Sequence, residues 1–326
     1  MTKTRDERLD GMKFLLIYLV VFGHMLYYFI GHEWGQEVYL FIYSFHMPAF
    51  LFLTGYFSRG AVRRKDRQRV FMYFALYFFI KCSQALVLYF DEGKRPSTHF
   101  FWDMSPAWYA LAVGVYLLVL YFFEGTERKR LLLFSILLSL ACGFDSHIGA
   151  HYASERILVF FPFFLMGYLI PKVWVRKTKG KWMKLIGGLL FGLWIFAILR
   201  MPNKLQRICI EAFKGRKSYG AAGLEGMWGP AFRLGAIVVA GLLVFSLLCL
   251  MPKKPVFARF GRNTLGVYAL HPMFITLGFT VFSGHDILMN AFPKLWMPAL
   301  MLIAFLTTWI LSADPLEKGI EKFLGA

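Results

Sequence analysis

The chain has 326 residues, of which 58% are hydrophobic, 19% aromatic and only 17% charged. A soluble protein of this length could not keep so many aromatic side chains away from water, so the composition excludes soluble domains and indicates a polytopic helical membrane protein. The net charge of +18 would suggest nucleic-acid binding if it were spread over a soluble surface. Here the cations fall in short blocks between apolar runs, which is typical of the loops of a membrane protein.

Apolar stretches near the roughly 20 residues that a helix needs to cross a bilayer recur along the whole chain. We predict a single all-α domain, residues 1–326, with about ten transmembrane helices. The predicted spans are 12–31, 37–57, 70–90, 106–123, 131–145, 156–172, 182–200, 231–251, 264–282 and 296–313. An even number of spans puts both termini on one side, and the side that holds most of the 37 Lys and Arg residues is cytoplasmic. We therefore expect both termini in the cytoplasm.

Two histidines lie inside the first two apolar runs, where an imidazole is costly unless it has a partner or a wet cavity. His24 lies about 12 residues from the inner end of its span and His46 about 9 residues from the outer start of the next, so both fall in the outer half at 1.5 Å per residue. Adjacent antiparallel helices would let both imidazoles face one cavity. The alternative is that each histidine only stabilises helix packing.

Two groups of charges mark the expected cytoplasmic side. Asp10 and Lys13 are three residues apart on one helical face. Either they form a pair that fixes the helix at the membrane edge, or Lys13 helps to bind an anionic cofactor. The second group comprises Arg59, Arg63, Arg64, Lys65, Arg67 and Arg69. Topology alone can explain this group, but guanidinium groups also suit bidentate phosphate binding.

The expected outer side carries an unusual cationic connection at about 200–230, in which we predict a short amphipathic helix at 203–214. Its cations are Arg200, Lys204, Arg207, Lys214, Arg216 and Lys217. The connection is either a solvated loop or a contact for an anionic glycan or lipid headgroup. Glu155 and Arg156, at the outer start of the sixth span, either pair with each other or meet a sugar.

Four segments together resemble the membrane-embedded acyltransferase-3 family. They are RLDGMKFLLIYLVVFGH, with Lys13 and His24; FHMPAFLFLTGYF; PAWYALAVGVY, with Trp108 and Tyr116; and FGRNTLGVYALHPMF, with His271. The family's first-helix cation is often arginine, so the lysine loses the bidentate fork. Its Arg-x-x-Arg element before the third helix is matched by Arg64 and Arg67, or in another register by Asp66 and Arg69.

The resemblance implies an O-acyltransferase of the bacterial plasma membrane, with acyl-coenzyme A, acetyl being expected, as the cytoplasmic donor. The acceptor would be a hydroxyl of an extracytoplasmic glycan or glycolipid, and His24 would be the general base. We assign His46 a catalytic or orienting role; Lys13, Arg64, Arg67 and Arg69 to the donor; and Asp10, Trp108, Tyr116, Glu155, Arg156 and His271 to substrate binding. His271, beside Pro272 in the inner half of its span, either lines the donor tunnel or stabilises a distorted turn.

Other functions also fit the pattern. A proton-coupled transporter or flippase could use the same histidines as a proton relay, but the chain shows no internal repeat and few acidic residues inside the spans. A non-catalytic sensor would bind no coenzyme A. We expect membrane lipids and a glycan or lipid-linked saccharide as partners. We expect no nucleic acid, because the cations fall in blocks between apolar runs, and no metal, because no metal-ligand pattern is present.

Overall fold

The structure is a computed structural model. It describes residues 6–92, 105–123, 127–146, 148, 152–224, 226–252 and 255–325. These residues form helices and connecting turns without a strand, which confirms the all-α prediction. The α-helices are α1 (Glu7–Leu26), α2 (Gly35–Tyr43), α3 (His46–Arg64), α4 (Arg67–Glu92), α5 (Trp108–Phe122), α6 (Arg128–Ala141), α7 (Ser154–Leu169), α8 (Lys172–Lys177), α9 (Lys181–Arg200), α10 (Asn203–Lys214), α11 (Trp228–Leu250), α12 (Leu265–Ile275), α13 (Gly284–Ala291), α14 (Trp296–Leu311) and α15 (Asp314–Leu324).

Every predicted span coincides with at least one of these helices. Among the described residues, five helical segments are long and apolar enough to cross a membrane, and the number rises to seven if two bent helix pairs each count as one span. The five are Glu7–Phe29, Gly35–Arg64, Arg67–Tyr89, Lys181–Arg200 and Trp228–Leu250. Helices α5, α6 and α7 have only 15, 14 and 16 residues. Ten spans and the orientation of the termini therefore stay predictions.

The second predicted span is broken rather than continuous. Helix α2 ends at Tyr43 and α3 begins at His46, with Phe45 outside helical geometry at φ −142° and ψ −23°. Pro48 is the third residue of α3, where its missing N–H is tolerated, whereas a continuous helix would need that N–H for a hydrogen bond. His46 therefore lies at the start of a helix and not in the middle of one.

The chain divides into two compact units, each built from separate segments. The first unit comprises Met1–Tyr39, Phe78–Thr98 and Met251–Ala326. In it, α1 packs against α14, α12 and the 3₁₀ turn Phe260–Arg262. A side chain at Gly261 would overlap the carbonyl oxygen of Asp10, so this turn lies directly on the backbone of α1.

The second unit comprises Leu40–Tyr77 and His99–Leu250. Its most extensive contact joins α3 and α7, which approach closely through two glycines. A Cβ at Gly55 would overlap the carbonyl oxygen of Phe164, and a Cβ at Gly167 would overlap that of Phe52. Small residues allow such close approach between apolar helices, which explains why glycine follows Thr54 in the second predicted span.

Candidate functional site

In the first unit, the predicted ion pair of α1 is present. Lys13 Nζ lies 3.1 Å from Asp10 Oδ1, and the Asp10 side chain is only 3% exposed. The two residues share a helical face because they are three positions apart. Arg8 on the same helix is also buried. This end of α1 therefore carries more buried charge than the sequence indicated.

His24 lies beside His271 in the first unit. The centroids of the two imidazole rings are 5.5 Å apart and the ring planes are inclined by 37°. Sequence reasoning had placed His24 in the outer half of the membrane and His271 in the inner half. The contact between the two rings was not expected from these positions, and the depth of each residue in the membrane stays a prediction.

Hydrogen bonds to the backbone indicate which nitrogen of the neutral His271 ring carries the proton. Its Nδ1 lies 3.0 Å from the carbonyl oxygens of both Val267 and Tyr268, so Nδ1–H is the donor and Nε2 carries the lone pair. The residue is 0% exposed, and Nε2 has no hydrogen-bond partner among the described residues. A buried acceptor without a hydrogen bond costs folding free energy, so His271 is a candidate functional residue.

A carboxylate from α15 caps the helix that carries His271. Glu317 accepts hydrogen bonds from the backbone N–H groups of Leu265, at 3.3 Å, and Gly266, at 2.6 Å. Helix N-termini leave such donors unsatisfied, and an acidic side chain is favoured there. Glu317 therefore positions the start of α12, and no local sequence pattern indicated this because its partners are distant in the chain.

A second imidazole pair in the first unit was also missed. His32 Nε2 lies 2.9 Å from His285 Nε2, and His285 Nδ1 lies 2.8 Å from Asp286 Oδ1. The carboxylate accepts from Nδ1–H of His285, so in the neutral ring Nε2 is the acceptor for Nε2–H of His32. Within the described part of the chain, no group of three or more His, Cys, Asp or Glu residues is placed to hold a metal ion.

In the second unit, His46 begins α3 and is almost fully buried. Its Nδ1–H donates to the carbonyl oxygen of Ile42 at 2.8 Å, and its ring meets the edge of Tyr43 at 4.6 Å between centroids. The lone pair is therefore on Nε2. His24 belongs to the first unit, so a common cavity for the two histidines stays a prediction.

The predicted aromatic and cationic substrate residues meet at the start of α5. The Arg156 guanidinium lies 5.2 Å from the ring of Trp108, a distance typical of cation–π contact. Beside it, the hydroxyl of Tyr109 and Oγ1 of Thr54 are 2.5 Å apart. Tyr116 has a different environment, because its buried hydroxyl donates to the Ile157 carbonyl at 2.6 Å and so joins α5 to α7.

Glu155 forms a buried ion pair with Arg233 of α11, which is distant in sequence. Arg233 Nη2 lies 2.6 Å from Glu155 Oε1, and the Glu155 side chain is 0% exposed. Arg233 also donates to the carbonyl oxygens of Ser139, at 3.2 Å, and Lys217, at 3.1 Å. Oε2 of Glu155 is buried without a hydrogen bond to any described residue. Sequence reasoning missed Arg233, since a single cation in an apolar run does not show which helix it contacts.

Asp66, in the turn before α4, contacts two of the predicted donor-binding residues, Arg64 and Arg69. Arg64 Nη2 lies 3.9 Å from Asp66 Oδ2, and the N–H of Arg69 donates to Asp66 Oδ1 at 3.1 Å. Arg67 is the first residue of α4. The Arg64 side chain is 70% exposed, so it can reach a soluble phosphate. Both possible registers of the Arg-x-x-Arg element share this turn, and the choice between them stays open.

Arg59 from the same basic group has a structural role. Its Nε donates to the Tyr168 carbonyl at 2.8 Å, and its Nη2 donates to the Gly167 carbonyl at 2.9 Å and also to that of Ile170. These carbonyls are at the C-terminal end of α7, where helices leave acceptors unsatisfied and favour cations. Arg59 thus anchors α7 on α3.

The predicted amphipathic helix in the cationic connection is confirmed as α10, Asn203–Lys214. Near its end, Glu211 is surrounded by Lys214 at 3.5 Å, Arg216 at 3.6 Å and Lys217 at 3.3 Å. Burial raises the pKa of Glu211, but the three cations outweigh burial and lower it on balance. The carboxylate is therefore ionised, and it cannot neutralise all three cations.

Comparison with known proteins agrees with these features. Residues 6–313, nearly the whole chain, match the acyltransferase domain that defines the acyltransferase-3 family. Two relatives are each called nodulation protein NolL: the Mesorhizobium japonicum protein is 44% identical over 69 residues, 20% of this chain, and the Sinorhizobium fredii protein is 39% identical over 64 residues, 18% of this chain. The alignments span only 18% of the length of either relative. No solved structure matches the chain.

The chain belongs to the acyltransferase-3 family, because the match extends over far more than half of its length. Family membership and the apolar helices together identify a membrane protein of the acyltransferase class. The resemblance that the four motifs indicated is therefore confirmed at the level of the family.

Proposed function

We propose that this protein is a membrane O-acyltransferase. It takes an acyl group, acetyl being expected, from cytoplasmic acyl-coenzyme A and transfers it to a hydroxyl of an extracytoplasmic glycan or glycolipid at the bacterial plasma membrane. Family membership supports the reaction class. The imidazole of His24 contacts that of His271 inside an apolar unit, and this contact is the main support for His24 as the base.

In this reaction His24 acts as the general base. Its imidazole accepts the proton of the acceptor hydroxyl while that oxygen attacks the carbonyl carbon of the thioester. The carbon–sulfur bond breaks, the proton reaches the sulfur, and the products are the ester and free coenzyme A. His271 is a positioning residue, because its Nδ1–H is held by two backbone carbonyls and its Nε2 can accept a hydrogen bond from the neighbouring imidazole.

The family resemblance indicated the candidate residues for the donor, and each is considered within its own unit. Lys13, held by Asp10, would meet one anionic group of the coenzyme, and Arg64, Arg67 or Arg69 would bind phosphate through guanidinium hydrogen bonds. The exposure of Arg64 suits a ligand that arrives from solution.

The acceptor would meet the polar groups at the starts of α5 and α7. An aromatic ring beside an arginine offers an apolar face and several donors, which suits the alternating faces and hydroxyls of a sugar. Trp108 and Arg156 supply this combination. Oε2 of Glu155 supplies a buried acceptor for a sugar hydroxyl.

The experiment incubates purified protein in detergent with radiolabelled acetyl-coenzyme A and isolated surface polysaccharide, and measures label on the glycan. Transfer by the unaltered protein without a membrane gradient excludes a pure transporter. His24→Ala should abolish the label while the protein stays folded, and His32→Ala, a matched loss of an imidazole in another cluster, should retain it. Full transfer by His24→Ala would show that His24 is not the base.

A further inference from the structure

Three cations at the end of α10 form a cluster that the proposed reaction does not use. We call Lys214, Arg216 and Lys217 the cationic cluster. All three lie within 3.3 to 3.6 Å of carboxylate oxygens of Glu211. Glu211 supplies one negative charge to three cations, so a further anion would be attracted to the cluster.

The cluster is held in place by the fold of the second unit. Gly215 ends α10 in the left-handed region at φ +55°, and a Cβ there would lie 2.7 Å from Cγ1 of Val159 on α7. Beyond it, the N–H of Tyr219 donates to the Gly143 carbonyl at 2.8 Å, and Arg233 donates to the Lys217 carbonyl at 3.1 Å. The cations are therefore preorganised, which lowers the entropy cost of binding a ligand.

The cluster also lies next to the break that carries His46. Lys214 Nζ is 6.0 Å from the ring centroid of Tyr43, and the Tyr43 ring packs against His46. From α9, Trp194 packs against Phe213 of α10, and its indole N–H donates to Ser44 Oγ at 3.0 Å. A ligand on the cluster would thus lie close to an imidazole that is a candidate for catalysis.

The ionisation of Lys214 favours an anionic ligand beside it. Burial disfavours its charged form and Arg216 repels it, and together they lower the pKa of Lys214 to about 8 despite the attraction of Glu211. Lys217 contributes a further, smaller repulsion. An acidic ligand beside the ammonium would counter both effects and keep the lysine charged.

We propose that the cationic cluster binds an acidic group of the acceptor, a carboxylate or a phosphate, so that the acceptor is an anionic saccharide. The identification of this ligand as the acceptor rests on the proposed function. Binding of the ligand can be measured without any acyl transfer. Guanidinium and ammonium groups are the side chains that bind such groups most strongly, through charge-assisted hydrogen bonds.

The experiment measures equilibrium binding in a neutral detergent without acyl-coenzyme A. The probes are hyaluronan tetrasaccharide, which carries carboxylates, and chitotetraose, which is neutral. We expect the acidic tetrasaccharide to bind more tightly and to lose affinity as salt is added, because exposed charges are screened. Arg216→Gln with Lys217→Gln should weaken its binding by about tenfold or more, since each change removes a charged hydrogen-bond donor.

The matched control is Lys204→Gln, which removes the same charge from an exposed position at the other end of α10 and should leave binding unchanged. Lys217→Gln alone provides a milder variant if the double variant does not fold. Equal or undetectable binding of the two saccharides overturns the proposal, as does unaltered affinity in a folded variant. The proposal is also overturned if the variants change only the retention of added phosphatidylglycerol, because the ligand would then be a lipid headgroup.

Failure of the proposed function gives a different result. If the purified protein binds the acidic tetrasaccharide through the cationic cluster but transfers no acetyl group to any glycan, then the anionic saccharide site stands and the acyl transfer does not. If transfer occurs equally to neutral and acidic acceptors and the cluster variants leave both unchanged, then transfer stands and the anionic site does not.

Discussion

The buried ion pair between Glu155 and Arg233 leads to the most demanding prediction, the effect of Arg233→Met. The two side chains are 0% and 4% exposed, and the ionic contact of 2.6 Å is short. Methionine keeps an unbranched apolar stem but removes the charge, so Glu155 stays buried without its cation. Breaking a buried pair in this way costs about 3–5 kcal/mol of folding free energy. The lost hydrogen bonds to the carbonyls of Ser139 and Lys217 add about 1 kcal/mol each.

A double-mutant cycle tests this reasoning. Unfolding of the purified protein in detergent is followed by tryptophan fluorescence for Arg233→Met, Glu155→Gln and the double variant. The second change removes the orphaned charge, so the double variant should be more stable than Arg233→Met alone. Arg63→Met, at an exposed arginine on α3 in the same unit, serves as control and should change stability by about 0.5 kcal/mol or less.

Two results would refute the argument. If Arg233→Met were no less stable than the Arg63→Met control, then the guanidinium would not compensate a buried charge. If the effects of the two single changes were simply additive, then the residues would not interact, because contacting groups show a coupling energy.

The remaining predictions concern packing, capping and pH. Gly55→Ala should lower the melting temperature, because the new Cβ overlaps the carbonyl oxygen of Phe164, whereas Gly60→Ala on the same helix, which meets only a flexible side chain at 3.4 Å, should not. Glu317→Ala should lower the free energy of unfolding by about 1–3 kcal/mol through the two unsatisfied N–H groups at the start of α12, and equal stability in denaturant titration would contradict the cap. The pKa of Lys214 is lowered from 10.5 to about 8, so the unfolded chain binds more protons and stability should rise from pH 8 to 10.5. Lys214→Met should flatten that rise, and an unchanged slope would rule out Lys214 as its source.

The sequence by itself predicted where the apolar helices lie, and it predicted the family. Apolar runs of membrane length predict helices because a backbone inside a bilayer must satisfy its own hydrogen bonds, and each predicted span coincides with a helix. The amphipathic spacing at 203–214 gave the bounds of α10, and the ion pair of Asp10 with Lys13 followed from their separation of three residues. These features depend only on neighbours in the chain.

Tertiary structure decided which side chains meet. Membrane helices are apolar on most faces, so periodicity does not show which face touches which neighbour. The contact of His24 with His271 and the pairing of Glu155 with Arg233 join helices that are distant in sequence, and only packing brings them together. The start of α3 at His46 also needed the fold, because Pro48 is compatible with either a kinked helix or a new one. Close approach at Gly55 and Gly167 then fixes how α3 packs against α7.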